Sequence, residues 1–434
     1  LLQRRLCLAT WNAAIHFSLR YRADLCDFGP LLLERGRAHR AVNIGACNLN
    51  PACHHHREIL MQAKPTAFTS SALLPRVPLI PEHIVRRHNV HFEIDTRFRR
   101  AARLLQYLWL TDHGIPTGIH IQGTGEDAVT MDIGSCLSAE AAEAGKNFLS
   151  PAIHGLVRHE LIMREEGAMI DEDRLFRNAL SSMPLVFNLF GPMVIDLRLA
   201  TAVFRALLPD FVNTVESIRF EHSPGRHQDR FLADGTAFDL AMAVITPDGE
   251  EATIFVEVKY SEDMTGPAAR FRPRYDEASR QVGLFKDPDS QLLRSLALEQ
   301  LWREGMLSQL AVDHGITPRA LFITIAPRLN RRVNAACRVY RNELIESDQR
   351  QNNRVGFQSF ELETVIRELA KTGASEIAGK LWARYCDFER VYRLALNEFP
   401  DTARLNTGIA NQVTNVSARR PASKTTGPSP NATK

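Results

Sequence analysis

Residues Thr236–Tyr260 read TAFDLAMAVITPDGEEATIFVEVKY. Thr236–Thr246 and Ala252–Tyr260 are apolar runs, the second rich in β-branched and aromatic residues, which favour strands. Pro247-Asp248-Gly249-Glu250 between them is turn chemistry. The pattern predicts an antiparallel hairpin. Three charged residues stand in its two apolar runs: Asp239, Glu257 and Lys259. The two-residue period of a strand puts Glu257 and Lys259 on one face, with Val256 and Val258 on the other. Asp239 lies early in the first strand, 18 residues before Glu257. A hairpin of this length brings the two carboxylates to one end of a sheet. Charges on so apolar a hairpin are costly if buried without partners.

Two adjacent carboxylates repel, and a hard divalent cation relieves the repulsion. Mg²⁺, or Mn²⁺ in its place, takes oxygen ligands from one or two carboxylates and keeps positions for water and phosphate. Such an ion stabilises phosphate charge and acidifies a bound water. A lysine beside it orients the attacking water or helps deprotonate it. The combination suits hydrolysis of a phosphodiester. The bland alternative is a surface ion pair on an edge strand, because Glu-x-Lys alone is common. The acid on the preceding strand, the turn between and the flanking helices favour the functional reading.

Outward from the hairpin, helical spacing predicts helices over Ile94–Leu110, capped by Asp95 or Thr96, and over Ser138–Phe148, Ile153–Glu166, Asp171–Ser181 and Asp196–Leu208. Residues 118–136 are Gly-punctuated and read as irregular. Val212–Phe220 either extends a helix or forms a strand. Beyond the hairpin, helices are expected around Arg274–Phe285, Gln291–Gly315, Arg332–Glu346, Leu362–Leu369 and Glu376–Phe388. Strands are expected at Ala320–Ala326 and Val355–Phe360. The alternation implies a mixed α/β (α+β) core whose sheet is covered by helices.

This order of elements, with Asp on one strand and Glu-x-Lys on the next, resembles the PD-(D/E)XK nuclease superfamily and its restriction-endonuclease-like fold. The runs RFRRAARLLQYLW, AAEAGKNFLSP, LFGPMVIDLRLATAVFRALLPDF, IRFEHSPGR, DGTAFDLAM, FVEVKYSEDM and RPRYDEASRQVGLF are similar to a group of bacterial nuclease-like proteins of that superfamily. The resemblance covers about 92–395. It implies that Asp239 and Glu257 are metal ligands and that Lys259 is the catalytic lysine. Phe238 stands where the motif carries Pro, a position often replaced. The superfamily often adds an acid on the first core helix. Asp196, Glu216 and Glu221 are the candidates, with Glu221 ranked first. The implied function is a Mg²⁺-dependent DNA nuclease, most simply an endonuclease. The competing reading is a non-catalytic nucleic-acid-binding or interaction module on a nuclease-like fold. Cutting both strands with one site per chain would favour a homodimer.

Arg270, Arg272 and Arg274 follow the motif and are candidates to clamp substrate phosphates, since Arg binds phosphate through paired donors. A solvated loop entering a helix is the alternative. Tyr275 and Gln281 could support the site or simply pack a helix. His222 and Arg226 fall in a turn-rich loop and read as loop residues rather than substrate contacts. His54-His55-His56 with Cys47 and Cys53 match no structural zinc spacing. Gly123-Thr124-Gly125 lacks the context of a phosphate loop.

The chain has 434 residues, 44% apolar and 24% charged, which excludes collagen, a pure coiled coil and a wholly disordered chain. No run reaches the roughly 18 uninterrupted apolar residues of a membrane span. The net charge is +3, but its distribution is uneven. Residues 1–90 carry +7 and 414–434 carry +4, so 91–413 carry −8. A phosphate-binding surface in the body must therefore be local. Seven cysteines without regular spacing read as reduced thiols of a cytoplasmic protein. Residues 1–90, rich in Arg, His, Cys and Pro, read as a poorly patterned extension or the product of a start site placed upstream. Residues 91–190 read as a mostly helical N-terminal portion, 191–395 as the nuclease-like core with its C-terminal helices, and 411–434 as a disordered basic tail.

Overall fold

In the computed structural model, residues 73–122, 129–265, 269–346 and 353–397 are described. His54–His56, Cys47, Cys53, Gly123–Gly125, most of the N-terminal extension and the basic tail lie outside the described residues.

The described residues open with α1 (Glu82–Arg87) and α2 (Arg97–Asp112). Thr96, one of the two expected caps, accepts from the Arg99 backbone N–H. Residues 118–136 are expected to be irregular, but their described residues form an antiparallel strand pair, β1 (Thr117–Gln122) and β2 (Val129–Leu137). Gly118 and Gly134 mark close approaches rather than breaks. A Cβ on Gly134 would meet the Tyr107 ring at 2.4 Å, and one on Gly118 would meet Ser138 Cα at 2.8 Å. Then follow α3 (Ala139–Glu143), α4 (Pro151–Met163), α5 (Glu172–Arg177), α6 (Ser182–Ile195) and α7 (Leu197–Leu207). The expected helix over Ser138–Phe148 is thus shorter, ending at Glu143. Asp196 separates α6 from α7 and caps the latter through the Arg198 N–H. Helix α6 is apolar on nearly every side because it is buried on nearly every side. No single helix among the described residues is long and apolar enough to cross a membrane.

The main sheet is built from β3 (Thr214–His222), β4 (Phe238–Ile245), β5 (Glu251–Val258), β6 (Ala320–Ala326) and β7 (Gly356–Glu361), in that spatial order. Val212–Phe220 therefore resolves as strand. β3, β4 and β5 are antiparallel neighbours, so the predicted hairpin is present. β6 and β7 add in parallel beyond β5. Parallel neighbours need crossovers. α8 (Pro273–Val282) and α9 (Glu299–Asp313) join β5 to β6, and α10 (Arg331–Glu343) joins β6 to β7. Helix α9 starts eight residues later than the predicted Gln291 start. The described residues end with α11 (Leu362–Lys371), α12 (Ser375–Tyr385) and α13 (Phe388–Asn397).

Strand alternation sorts the core into two layers. Leu240, Met242, Val244, Ile254, Val256, Ile323 and Ile325 pack with α2, α6, α7, α11 and α12. Ala241, Phe255 and Phe322 pack with α8, α9 and α10. The mixed α/β expectation holds: a five-stranded mixed sheet has helices on both faces. β5 is its middle strand, and the charged end of the hairpin lies where β5 and β6 finish.

Candidate active site

Strand register does the first part of the assembly. Phe220 pairs with Leu240, and Leu240 with Val256. Continued by one residue, the same registers set Glu221 across from Asp239, and Asp239 across from Glu257. Three acids from three adjacent strands thus stand in a row at one end of the sheet. Glu221 adopts φ +47°, an uncommon conformation for a residue with a side chain. The Asp239 Oδ2 accepts from the Val258 N–H at 2.7 Å. Lys259, just beyond β5, donates from Nζ to Glu257 Oε1 at 2.6 Å. Its own N–H donates to the Ile325 carbonyl at 2.9 Å, which carries the parallel pairing one residue further.

The electrostatics follow from this crowding. Burial, and then the Glu257 charge, hold Asp239 well above the usual carboxylate range, against the opposing pull of Lys259. Burial first, with Glu257 adding to it, outweighs Arg226 and pushes Glu221 up to about 7. Burial alone would depress the Lys259 ammonium. The carboxylates of Glu257, Glu304 and Asp239 outweigh burial and hold it above its ordinary value. In this state Lys259 is a cation and a hydrogen-bond donor.

Of the three candidates for the additional acid, only Glu221 stands with Asp239 and Glu257. Asp196 is a helix cap paired with Arg198. Glu216 accepts from the Thr214 hydroxyl on an exposed part of β3. Arg270 and Arg272 are exposed at the entry to α8. Arg274 differs from them: it donates to the carbonyls of Phe231 at 2.7 Å and Arg230 at 3.2 Å, and to Gln281 at 2.8 Å. It ties α8 to the loop before β4, so Arg270 and Arg272 remain as the exposed pair. Tyr275 is buried and donates to Asp234 at 2.6 Å. His222 is bonded to Glu165, and Arg226 donates to the carbonyls of Glu221, Gly167 and Gly235. Both are loop-binding residues.

Two residues absent from the sequence reading join the cluster from α9. Gln300 Nε2 donates to Glu257 Oε1 at 2.7 Å and to Glu304 Oε1 at 2.8 Å. Glu304 is 1% exposed. Their only signal in the sequence is the four-residue spacing that places them on one helix face.

Glu257 Oε1 receives both Lys259 and Gln300, while Asp239 Oδ2 receives Val258. The second oxygen of each acid, Glu257 Oε2 and Asp239 Oδ1, accepts no hydrogen bond among the described residues. Spare hard oxygens in an over-acidic cluster fit a Mg²⁺- or Mn²⁺-type cation. Among the described residues, no group of three or more His, Cys, Asp or Glu side chains is placed to hold a metal ion.

A mixed sheet covered by helices, with a carboxylate pair and a lysine at the end of its middle strand, defines a restriction-endonuclease-like protein. A family model of the PD-(D/E)XK nuclease superfamily matches residues 93–387, more than half of the chain, and the chain belongs to that superfamily. No curated protein and no solved structure matches it.

Proposed function

We propose that this chain is a divalent-metal-dependent nuclease that hydrolyses phosphodiester bonds of DNA, cutting within the strand. One observation carries the reading: the carboxylates of Asp239 and Glu257 are held with the Lys259 ammonium at the end of the middle strand. Asp239 Oδ1 and Glu257 Oε2 would hold the cation. When bound, it stabilises charge on the phosphate and acidifies its water. Lys259, kept protonated by its carboxylate neighbours, donates to the attacking water or to a phosphate oxygen. Glu221, whose carboxyl is pushed up to about 7, is suited to take the proton from that water near neutrality. Arg270 and Arg272, exposed where the chain enters α8, bind backbone phosphates.

The test is a cleavage assay of the full chain on supercoiled plasmid, linear duplex and single-stranded DNA, with Mg²⁺, Mn²⁺ or EDTA. Metal-dependent nicking is expected, falling by about 100-fold or more in Lys259→Ala. Equal activity in the variant would mean that the site is misplaced. Metal-independent binding without cleavage on any substrate would favour a non-catalytic nucleic-acid-binding module.

A further inference from the structure

The bonds around Glu257 raise a stereochemical point. A carboxylate with one oxygen anchored by a single donor can still turn about its Cγ–Cδ bond. Glu257 Oε1 has two donors from different elements, Lys259 Nζ at 2.6 Å after β5 and Gln300 Nε2 at 2.7 Å on α9. Two donors occupy both lone pairs of that oxygen. The carboxylate plane is then set, and Oε2 is left over. Gln300 is itself held. Its two amide protons go to Glu257 Oε1 and Glu304 Oε1, which also fixes which end of the amide faces the site.

Besides its charge near Lys259, Glu304 braces Gln300. It is 1% exposed, and its Oε2 is buried without a hydrogen-bond partner. Leaving such an atom unpaired is unfavourable. Burial, and then the Glu257 charge, hold this carboxyl well above the ordinary range. A buried acid in an otherwise packed helix, aimed at Gln300, has the character of a prop.

We propose that Gln300, braced by Glu304, is a positioning residue that locks the Glu257 carboxylate with Oε2 presented for the metal. The role of Oε2 rests on the nuclease reading; the locking of the carboxylate does not. Groups that orient a metal-binding carboxylate typically matter 10–100-fold in metal affinity or activity, to order of magnitude.

The experiment uses the full chain and four variants: Gln300→Met, which keeps volume without a donor, Glu304→Ala, Glu304→Gln and Glu257→Ala. Mn²⁺ binding is measured by calorimetric titration, kcat and KM on plasmid DNA, and the Glu257 carboxylate orientation from crystals of Gln300→Met. Gln300→Met is expected to weaken Mn²⁺ binding and lower kcat by about 10–100-fold, to leave KM unchanged, and to let the carboxylate turn. Glu304→Ala should behave likewise. Glu304→Gln, which still offers a carbonyl oxygen to Gln300, should stay near wild type. A carboxylate unturned in Gln300→Met overturns the proposal, as does wild-type Mn²⁺ affinity in that variant when Glu257→Ala has lost binding. A wild-type chain that neither binds Mn²⁺ nor cuts DNA overturns the nuclease reading instead, and the crystal orientation alone then decides the role of Gln300.

Discussion

At the residue scale the site is governed by unrelieved negative charge. Glu221 makes this measurable. Its carboxyl is pushed from 4.5 up to about 7, first by burial, so the fold prefers it protonated. A raised folded-state value contributes stability that is full below about 4.5 and lost as pH rises through about 7. Melting temperatures of the metal-free protein should therefore fall across that window. Glu221→Gln should flatten the fall. Mn²⁺ binds deprotonated carboxylates, so the stabilisation it adds should grow as pH rises over the same interval. A melting series with and without Mn²⁺ checks all three. Stabilisation by Mn²⁺ that is independent of pH would count against the cluster as the binding site.

At the element scale, α9 places Gln300 and Glu304, and its own position depends on a glycine. A Cβ on Gly305 would meet the Tyr340 hydroxyl oxygen at 1.8 Å. Only hydrogen at that position leaves room for the Tyr340 hydroxyl, from α10, against α9. Gly305→Ala is expected to destabilise by about 1–3 kcal/mol through overpacking, although alanine is the better helix former. Denaturant unfolding would show it as a lower midpoint with an unchanged slope. Because Glu304 is the adjacent residue, the same variant should also lower kcat. The β1–β2 hairpin teaches a related lesson. Gly134 and Gly118 look like loop punctuation until the Tyr107 ring and the Ser138 backbone are seen against them.

At the scale of the whole molecule, the helical N-terminal portion shares one hydrophobic cluster with the sheet and with the C-terminal helices. A buried polar network runs through it. Arg384 on α12 is fully buried and donates to Asn147 and Gln106. Its guanidinium lies 4.3 Å from the centre of the Trp109 ring. Gln106 in turn donates to the Tyr260 hydroxyl at 3.0 Å, one residue after Lys259. Arg384→Ala would leave Gln106 Oε1 and Asn147 Oδ1 without this donor around a cavity. A loss of about 3 kcal/mol or more is expected, read by urea unfolding. Tertiary signal and Mn²⁺ binding should disappear together in that titration. Two separated transitions would mean that the helical portion and the site fold independently.

The hairpin, its turn and the Asp239, Glu257 and Lys259 motif were legible in the sequence because they depend on local pattern: strand alternation, turn residues and spacing along one chain. The mixed α/β class followed from the same periodicities, as did most helices. Other features depend on residues far apart in sequence. Glu221 became distinct from Asp196 and Glu216 only through strand register. Arg274 separated from Arg270 and Arg272 only because carbonyls some forty residues away claim its donors. Gln300, 43 residues beyond Glu257, meets it across a crossover, and Glu304 meets Gln300. Spacing along the chain specifies which chemistry is available. Which side chains carry it was decided by packing, because burial and the partners within hydrogen-bond reach exist only once distant segments are in contact.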